Sequence, residues 1–333
     1  NAASPTPTPT VIAAVALPTV TPTASSQESP TATTMPAVSA ANTVLSNTFP
    51  APLYYLNVEG QIMRLAANRS TLTQISDEPS GITDYDHSQV HGRFVWVSNN
   101  QLWEYDPANN QRLLKSEGGA LTYASHYKEA ANRIHALHYS PDGTTIAYLQ
   151  GANVMLISSG VTEAGNTQEI MTAVPFQESQ PNAADVREYR EITWLPSSRQ
   201  LVATTALWEG STYTLYNLDS GTSTEFSPFL CCGLAWSQQE QTLFVTHNLY
   251  GASDLYRVDP STAVGQKIFA SENAGGEVPN MQQFTAPIVG DDGQLYALGT
   301  VTNSYRALSS VYRFNPTAVE WERVSQAEID PIG

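Results

Sequence analysis

The chain is poor in basic charge, in cysteine and in long apolar runs. Of 333 residues, 15 are Lys or Arg against 31 Asp or Glu, for a net charge of -16. No basic stripe is available to neutralise phosphates, which argues against a nucleic-acid partner and against attraction to an anionic membrane surface. The longest apolar run, Val11 to Leu17, has seven residues, far below the ~20 of a membrane helix, so no transmembrane segment is expected. The two cysteines, Cys231 and Cys232, are adjacent, a spacing that forbids a CxxC zinc or thioredoxin-like site. Charged residues make up 14% of the chain, against roughly 25% in an average soluble protein. With Lys and Glu scarce and 21 Pro, 20 Gly and 16 Tyr present, the balance favours strands and turns over surface helices.

Two regions differ in chemistry. Residues 1–50 hold 8 of the prolines, 11 threonines and a single charged residue, Glu28. Runs such as Pro5-Thr6-Pro7-Thr8-Pro9-Thr10 favour extended polyproline II geometry, because Pro fixes its own φ and biases its predecessor away from helix. This is a low-complexity arm or stalk, and its Thr and Ser are candidate O-glycan carriers. Inside it, Val11-Ile12-Ala13-Ala14-Val15-Ala16-Leu17 is uncharged, partly β-branched and flanked by Pro9 and Pro18, the composition of a strand in need of an edge. Val11, Ile12, Val15 and Leu17, with the second apolar patch at Val44 and Leu45, are the candidate assembly residues. The chain begins Asn1-Ala2-Ala3 without an initiator Met or a signal-peptide pattern, so a processed, exported chain at the cell surface or outside the cell is expected. There the cysteines are free to oxidise.

Residues 51–333 carry short alternating strands with no long amphipathic helix. One unit recurs six times. Its third strand reads Gln61–Leu65, Gln101–Asp106, Asn153–Ile157, Tyr213–Asn217, Asp254–Asp259 and Ser310–Asn315. Turn residues follow several copies, as in Asp106-Pro107, Asp259-Pro260 and Asn315-Pro316. Ahead of the third strand lies a hairpin, spelled most fully as Tyr139-Ser140-Pro141-Asp142-Gly143-Thr144-Thr145-Ile146-Ala147-Tyr148, with degenerate copies at Trp194–Ser198, Trp236–Glu240 and Val289–Gly293. The stretch from 53 to 325 gives about 45 residues per unit, the length of a four-stranded propeller blade.

The aromatic, the Ser-Pro-Asp-Gly turn and the Ile-Ala-Tyr strand of residues 139–148 resemble the TolB-like, or WD40-like, β-propeller repeats. The resemblance implies an all-β fold, a six-bladed β-propeller of four-stranded antiparallel blades behind the extended Thr/Pro-rich N-terminal arm. Such domains act more often in binding and scaffolding than in catalysis, and fold alone does not decide function.

The strand tally leaves a gap. Leu53–Leu56, Ile62–Leu65 and Leu72–Ile75 supply only the second, third and fourth strands of blade one. Its innermost strand has three candidate sources: the C-terminal Ala327–Asp330, the chain's own Thr43–Thr48, or an arm from another subunit.

Catalytic machinery is hard to find. The sialidase Asp-box is missing, since Ser140-Pro141-Asp142-Gly143 places its Gly one position early. Neither a Gly-x-Ser-x-Gly elbow nor a phosphate-binding glycine loop occurs. His135 and His138 are three apart, which on a regular strand puts them on opposite faces. His87 and His91 read as part of a polar loop with Asp84 and Asp86. No cofactor or metal is expected. Cys231 and Cys232 precede the innermost strand of blade five, near one mouth of the central channel, as a vicinal disulfide or two buried thiols.

Three functions are therefore compared. The first is a non-enzymatic homo-oligomer, self-assembling by docking of the arm on a neighbouring propeller to give a chain or filament. The second is a monomeric surface binding protein with a glycosylated stalk and a ligand site near the adjacent cysteines. The third is a lyase or glycosidase acting in the channel.

Overall fold

The structure, a computed structural model, describes residues 49, 51–122, 130–162, 165–174, 186–207, 210–228, 230–231, 233–249, 252–270, 281–303 and 306–324. Among them every regular element is a strand, and no helix is long and apolar enough to cross a membrane. The strands form six antiparallel sheets in chain order, the blades of a six-bladed β-propeller. Blade one has β1 (Leu53–Leu56), β2 (Ile62–Leu65) and β3 (Leu72–Gln74). Blade two has β4 (Asp84–His87), β5 (Phe94–Ser98), β6 (Gln101–Asp106) and β7 (Gln111–Glu117). Blade three has β8 (Ile134–Tyr139), β9 (Thr145–Gln150), β10 (Asn153–Ser158) and β11 (Gln168–Met171). Blade four has β12 (Glu188–Trp194), β13 (Gln200–Leu207), β14 (Gly210–Asn217) and β15 (Thr222–Glu225). Blade five has β16 (Leu234–Ser237), β17 (Thr242–Leu249), β18 (Ala252–Asp259) and β19 (Val264–Phe269). Blade six has β20 (Met281–Val289), β21 (Leu295–Asn303), β22 (Arg306–Asn315) and β23 (Glu320–Arg323). Five of the six third strands read from the sequence take the third position of a four-stranded blade, and the sixth, β2, is the middle strand of the three described in blade one.

The turns repeat as backbone torsions even where the residue types differ. In the third-to-fourth-strand turns, Arg69, Asn110, Gly221, Ala263 and Val319 all have positive φ. In the first-to-second hairpins the left-handed position falls on Gly92, Gly143, Ser198, Gln241 and Gly293. The fully spelled copy is held by Asp142, whose Oδ1 accepts from the Ser140 hydroxyl at 2.6 Å and from Thr144 N–H at 3.0 Å. That turn chemistry explains the acidic residue without a ligand.

The core lies between blades, which is why middle strands read as nearly continuous apolar runs. In β9, Ile146 and Tyr148 pack toward blade two while Ala147 and Leu149 pack toward blade four. Each fully buried large side chain contributes roughly 1.5–3 kcal/mol. Buried clusters fill the seams one–two, two–three, three–four, four–five and five–six. Among the described residues no such cluster joins blade six to blade one.

Candidate functional site

The innermost strands β4, β8, β12, β16 and β20 neighbour one another around the ring axis, with β4 beside β8, β8 beside β12 and β16 beside β20. Two of these strands, β8 and β20, have backbone N–H groups met by side-chain acceptors. Asp86 Oδ2 accepts from Tyr139 N–H at 2.7 Å and Asp84 Oδ2 from Leu137 N–H at 3.4 Å, fastening blade two to blade three. Asn100 Oδ1 accepts from Ile134 N–H at 2.8 Å, and Ser253 Oγ from Phe284 N–H at 2.8 Å. Two sequence expectations change here. Asp84–His87 is strand β4, paired antiparallel with β5, and not a polar loop, whereas His91 lies in the turn that follows. His135 and His138 fall opposite Leu149 and Ala147, two residues apart on β9, since a bulge intervenes with Ala136 at φ 50°. The bulge returns both histidines to one face, and His135 Nε2 lies 2.9 Å from the Gly151 carbonyl oxygen.

Similar bulges interrupt β12 between Tyr189 and Glu191 and β20 between Thr285 and Ile288. The ring is chemically two-sided. Asp84, Asp86, His138, Arg190 and Glu191 are half-buried or exposed on blades two to four, whereas Leu234, Trp236, Ala286 and Ile288 occupy blades five and six. His138 Nδ1 is 3.9 Å from Asp86 Oδ2, beyond hydrogen-bond reach, and that oxygen already accepts from a backbone N–H. Among the described residues no cluster of three metal-ligating side chains occurs.

The densest buried polar group lies elsewhere, between blades two and three. Glu104, fully buried, accepts from the Ser159 hydroxyl at 2.7 Å, the Tyr139 hydroxyl at 3.1 Å, Gly160 N–H at 2.7 Å and Arg93 Nη1 at 3.4 Å, with the buried Lys115 Nζ 3.5 Å away. Burial, reinforced by the Glu104 charge, pushes the Tyr139 hydroxyl far above its ordinary range, so it stays a donor. With every member partnered, the network is a staple. Sequence reasoning missed it; the signal was a Glu inside the apolar β6 pattern.

Cys231 is 5% exposed and immediately precedes the approach to β16. Its peptide brackets one nitrogen of His247, with Cys231 N–H 3.2 Å and Cys231 O 3.0 Å from Nδ1. A protonated Nδ1 donates to the carbonyl and a bare one accepts from the N–H, so the tautomer selects the bond. Cys232 lies outside the described residues, as do Val11, Ile12, Val15, Leu17, Val44 and Leu45.

Blade one is the exception in the ring. Among the described residues its sheet has the order β1-β2-β3, with β1 at the inner edge. Tyr54 and Leu56 face blade two. The opposite face carries an apolar row, Leu53 paired with Leu65 and Leu65 with Leu72, beside Tyr55 paired with Met63. Leu53 is 47% and Leu72 55% exposed. On blade six, Leu295, Ala297 and Phe314 are buried, whereas the paired Leu298 and Val311 on the reverse face are only half-buried.

No protein-family model matches the chain, and no curated protein matches it. Solved structures match in fold. Dipeptidyl peptidase 4 of Porphyromonas gingivalis is 12% identical, with 84% of this chain and 53% of that chain covered and a TM-score of 0.50; the chain thus spans about half the length of that structure. A Bacteroides uniformis protein named provisionally as a 6-phosphogluconolactonase is 13% identical over 84% of this chain and 81% of its own, with a TM-score of 0.50. TolB of Acinetobacter baumannii is 12% identical over 78% and 60%, with a TM-score of 0.43. At such identities the likeness is one of fold, a β-propeller, and two named enzymes beside TolB assign no activity.

Proposed function

We propose that the chain is a non-catalytic interaction module, a TolB-like or WD40-like propeller at the cell surface or outside the cell, that assembles by docking its N-terminal arm on a neighbouring copy by strand addition. The observation that supports this reading is the inner edge of β1: among the described residues, five blades have an innermost strand and blade one shows three strands. The arm offers Val11–Leu17, an uncharged run of strand-like composition in an otherwise Thr/Pro-rich segment. A patch that docks into a different patch on the next copy does not close on itself, so the product is a linear chain. Deleting residues 1–42 is expected to abolish assembly in light scattering while circular dichroism keeps its strand signal. Equal assembly of truncated and full-length protein overturns the proposal.

A second reading draws on the two-sided inner ring. A monomer with an O-glycosylated stalk would bind an amphipathic ligand, such as a sugar or peptide, at the mouth marked by Cys231 and Cys232 as a vicinal disulfide. Supporting it are the half-buried or exposed Asp84, Asp86 and His138 on the inner strands of blades two and three, beside Leu234, Trp236 and Ile288 on those of blades five and six. Intact-mass measurement after alkylation distinguishes a disulfide from two thiols. Binding unaffected by proteolytic removal of the arm would favour this reading over assembly.

A further inference from the structure

We infer that Asn68 is an acceptor for an N-linked glycan. This rests on the exported placement proposed above and adds a modification site to it. Asn68-Arg69-Ser70 is the one Asn-x-Ser/Thr triplet in the chain whose middle residue is not Pro. Such a triplet accepts a glycan where it lies in a surface loop of an exported protein. The structure supplies the loop: residues 68–70 belong to the turn between β2 and β3, and all three are exposed. Arg69 N–H donates to Ala66 O at 2.8 Å and Ala66 N–H to Thr71 O at 2.9 Å, with Arg69 at φ 60°. These bonds span only residues 66–71, so the turn can form during export, before the propeller closes. Asn68 Oδ1 accepts from Ser70 N–H at 3.0 Å and from the Ser70 hydroxyl at 2.7 Å. Both bonds fall on the oxygen, so Nδ2, the atom that takes the sugar, stands outside them. Two donors on Oδ1 draw electron density from the amide and make an Nδ2 proton easier to remove.

The repeat supplies its own comparison, because the equivalent turns of blades four and six also open on Asn. Asn217 Oδ1 accepts from Asp219 N–H at 2.9 Å, but Asp219 brings no hydroxyl. Asn315 Oδ1 accepts from Thr317 N–H at 3.0 Å, which reproduces the turn with a hydroxyl residue in place. There the middle residue is Pro316, whose ring fixes φ and removes an N–H, and Asn315 Nδ2 already donates to Glu322 Oε1 at 2.6 Å. Blade one alone among these three combines the turn, the hydroxyl and a middle residue other than Pro. The sugar donor is an oligosaccharide carried as a lipid-linked diphosphate ester. Nδ2 bonds to the anomeric carbon, the bond from that carbon to the diphosphate oxygen breaks, the lipid diphosphate leaves with the electron pair, and one Nδ2 proton passes to a base of the transferase.

The full-length chain, directed by a secretory leader into the export pathway of a eukaryotic cell and analysed by peptide mass spectrometry, tests the site. The peptide that holds Asn68 is expected to carry a hexosamine-bearing glycan in most copies, and release by peptide N-glycosidase is expected to leave Asp at that position. Asn68→Gln and Ser70→Ala should each lose the glycan entirely, Ser70→Thr should keep it, and Asn315 should stay bare throughout. The turn is exposed, so circular dichroism of the variants should match that of wild type. A bare Asn68 in the chain recovered from that pathway overturns the inference, as does a glycan that survives Ser70→Ala. Location is read separately, by fractionating the cells that make the chain naturally. A chain retained inside them overturns the exported placement, whereas an exported chain that is bare at Asn68 overturns this site alone.

Discussion

His87 lies between Tyr54 and Phe94, with ring centroids 4.6 and 4.5 Å away, at the seam of blades one and two. Burial holds its imidazole below the ordinary value, against the smaller raising effect of Asp86. The unfolded chain takes up this proton near pH 6.5, whereas the folded chain resists it. The neutral ring's contribution is therefore complete above that pH, declines as pH falls toward the folded value, and levels off below it. The melting-temperature advantage of wild type over His87→Phe should accordingly shrink between pH 7.5 and pH 5; an equal difference at both would refute this. Val319 presents the opposite case, a β-branched residue at φ 56° on the surface. Asn110 holds the equivalent turn position in blade two. Because left-handed geometry costs a side chain with a branched Cβ roughly 1–2 kcal/mol and Asn tolerates it, Val319→Asn should stabilise by about 1 kcal/mol in urea unfolding.

At the level of strands and blades, Glu104 tests whether one polar network holds a seam. Glu104→Ala leaves the buried Lys115 ammonium without its carboxylate and removes acceptors from Tyr139, Ser159 and Gly160. Loss of one partner from a buried ion pair costs on the order of 3–5 kcal/mol, to be read from denaturant midpoints. Third strands were legible in the sequence because each must alternate aromatic and aliphatic residues between two seams, as Val154, Met155, Leu156 and Ile157 do. The Ser140–Gly143 turn was legible because its chemistry is local. The bulges at Ala136, Arg190 and Ala286 were not, since their cause is the fit of a strand around a narrow axis. The work of Asp84 and Asp86 was equally hidden: their partners, Leu137 and Tyr139, stand 53 residues away in sequence.

For the whole molecule, the net charge of -16 sets a condition on the proposed assembly. Like-charged copies repel over a screening length of about 20 Å in dilute salt and about 8 Å at physiological salt. Raising sodium chloride from about 20 to about 150 mM should therefore increase the mean mass of wild-type assemblies in light scattering; a decrease would indicate docking through ion pairs instead of an apolar strand. The ring also has an unequal circumference. Five seams contain buried clusters, and the described faces of the sixth are half-exposed. Local opening is easiest where the fewest apolar contacts must be broken. The ring should then breathe at one joint in the manner of a split washer, with amides of β1 and β2 exchanging with deuterium ahead of those in β9 and β13.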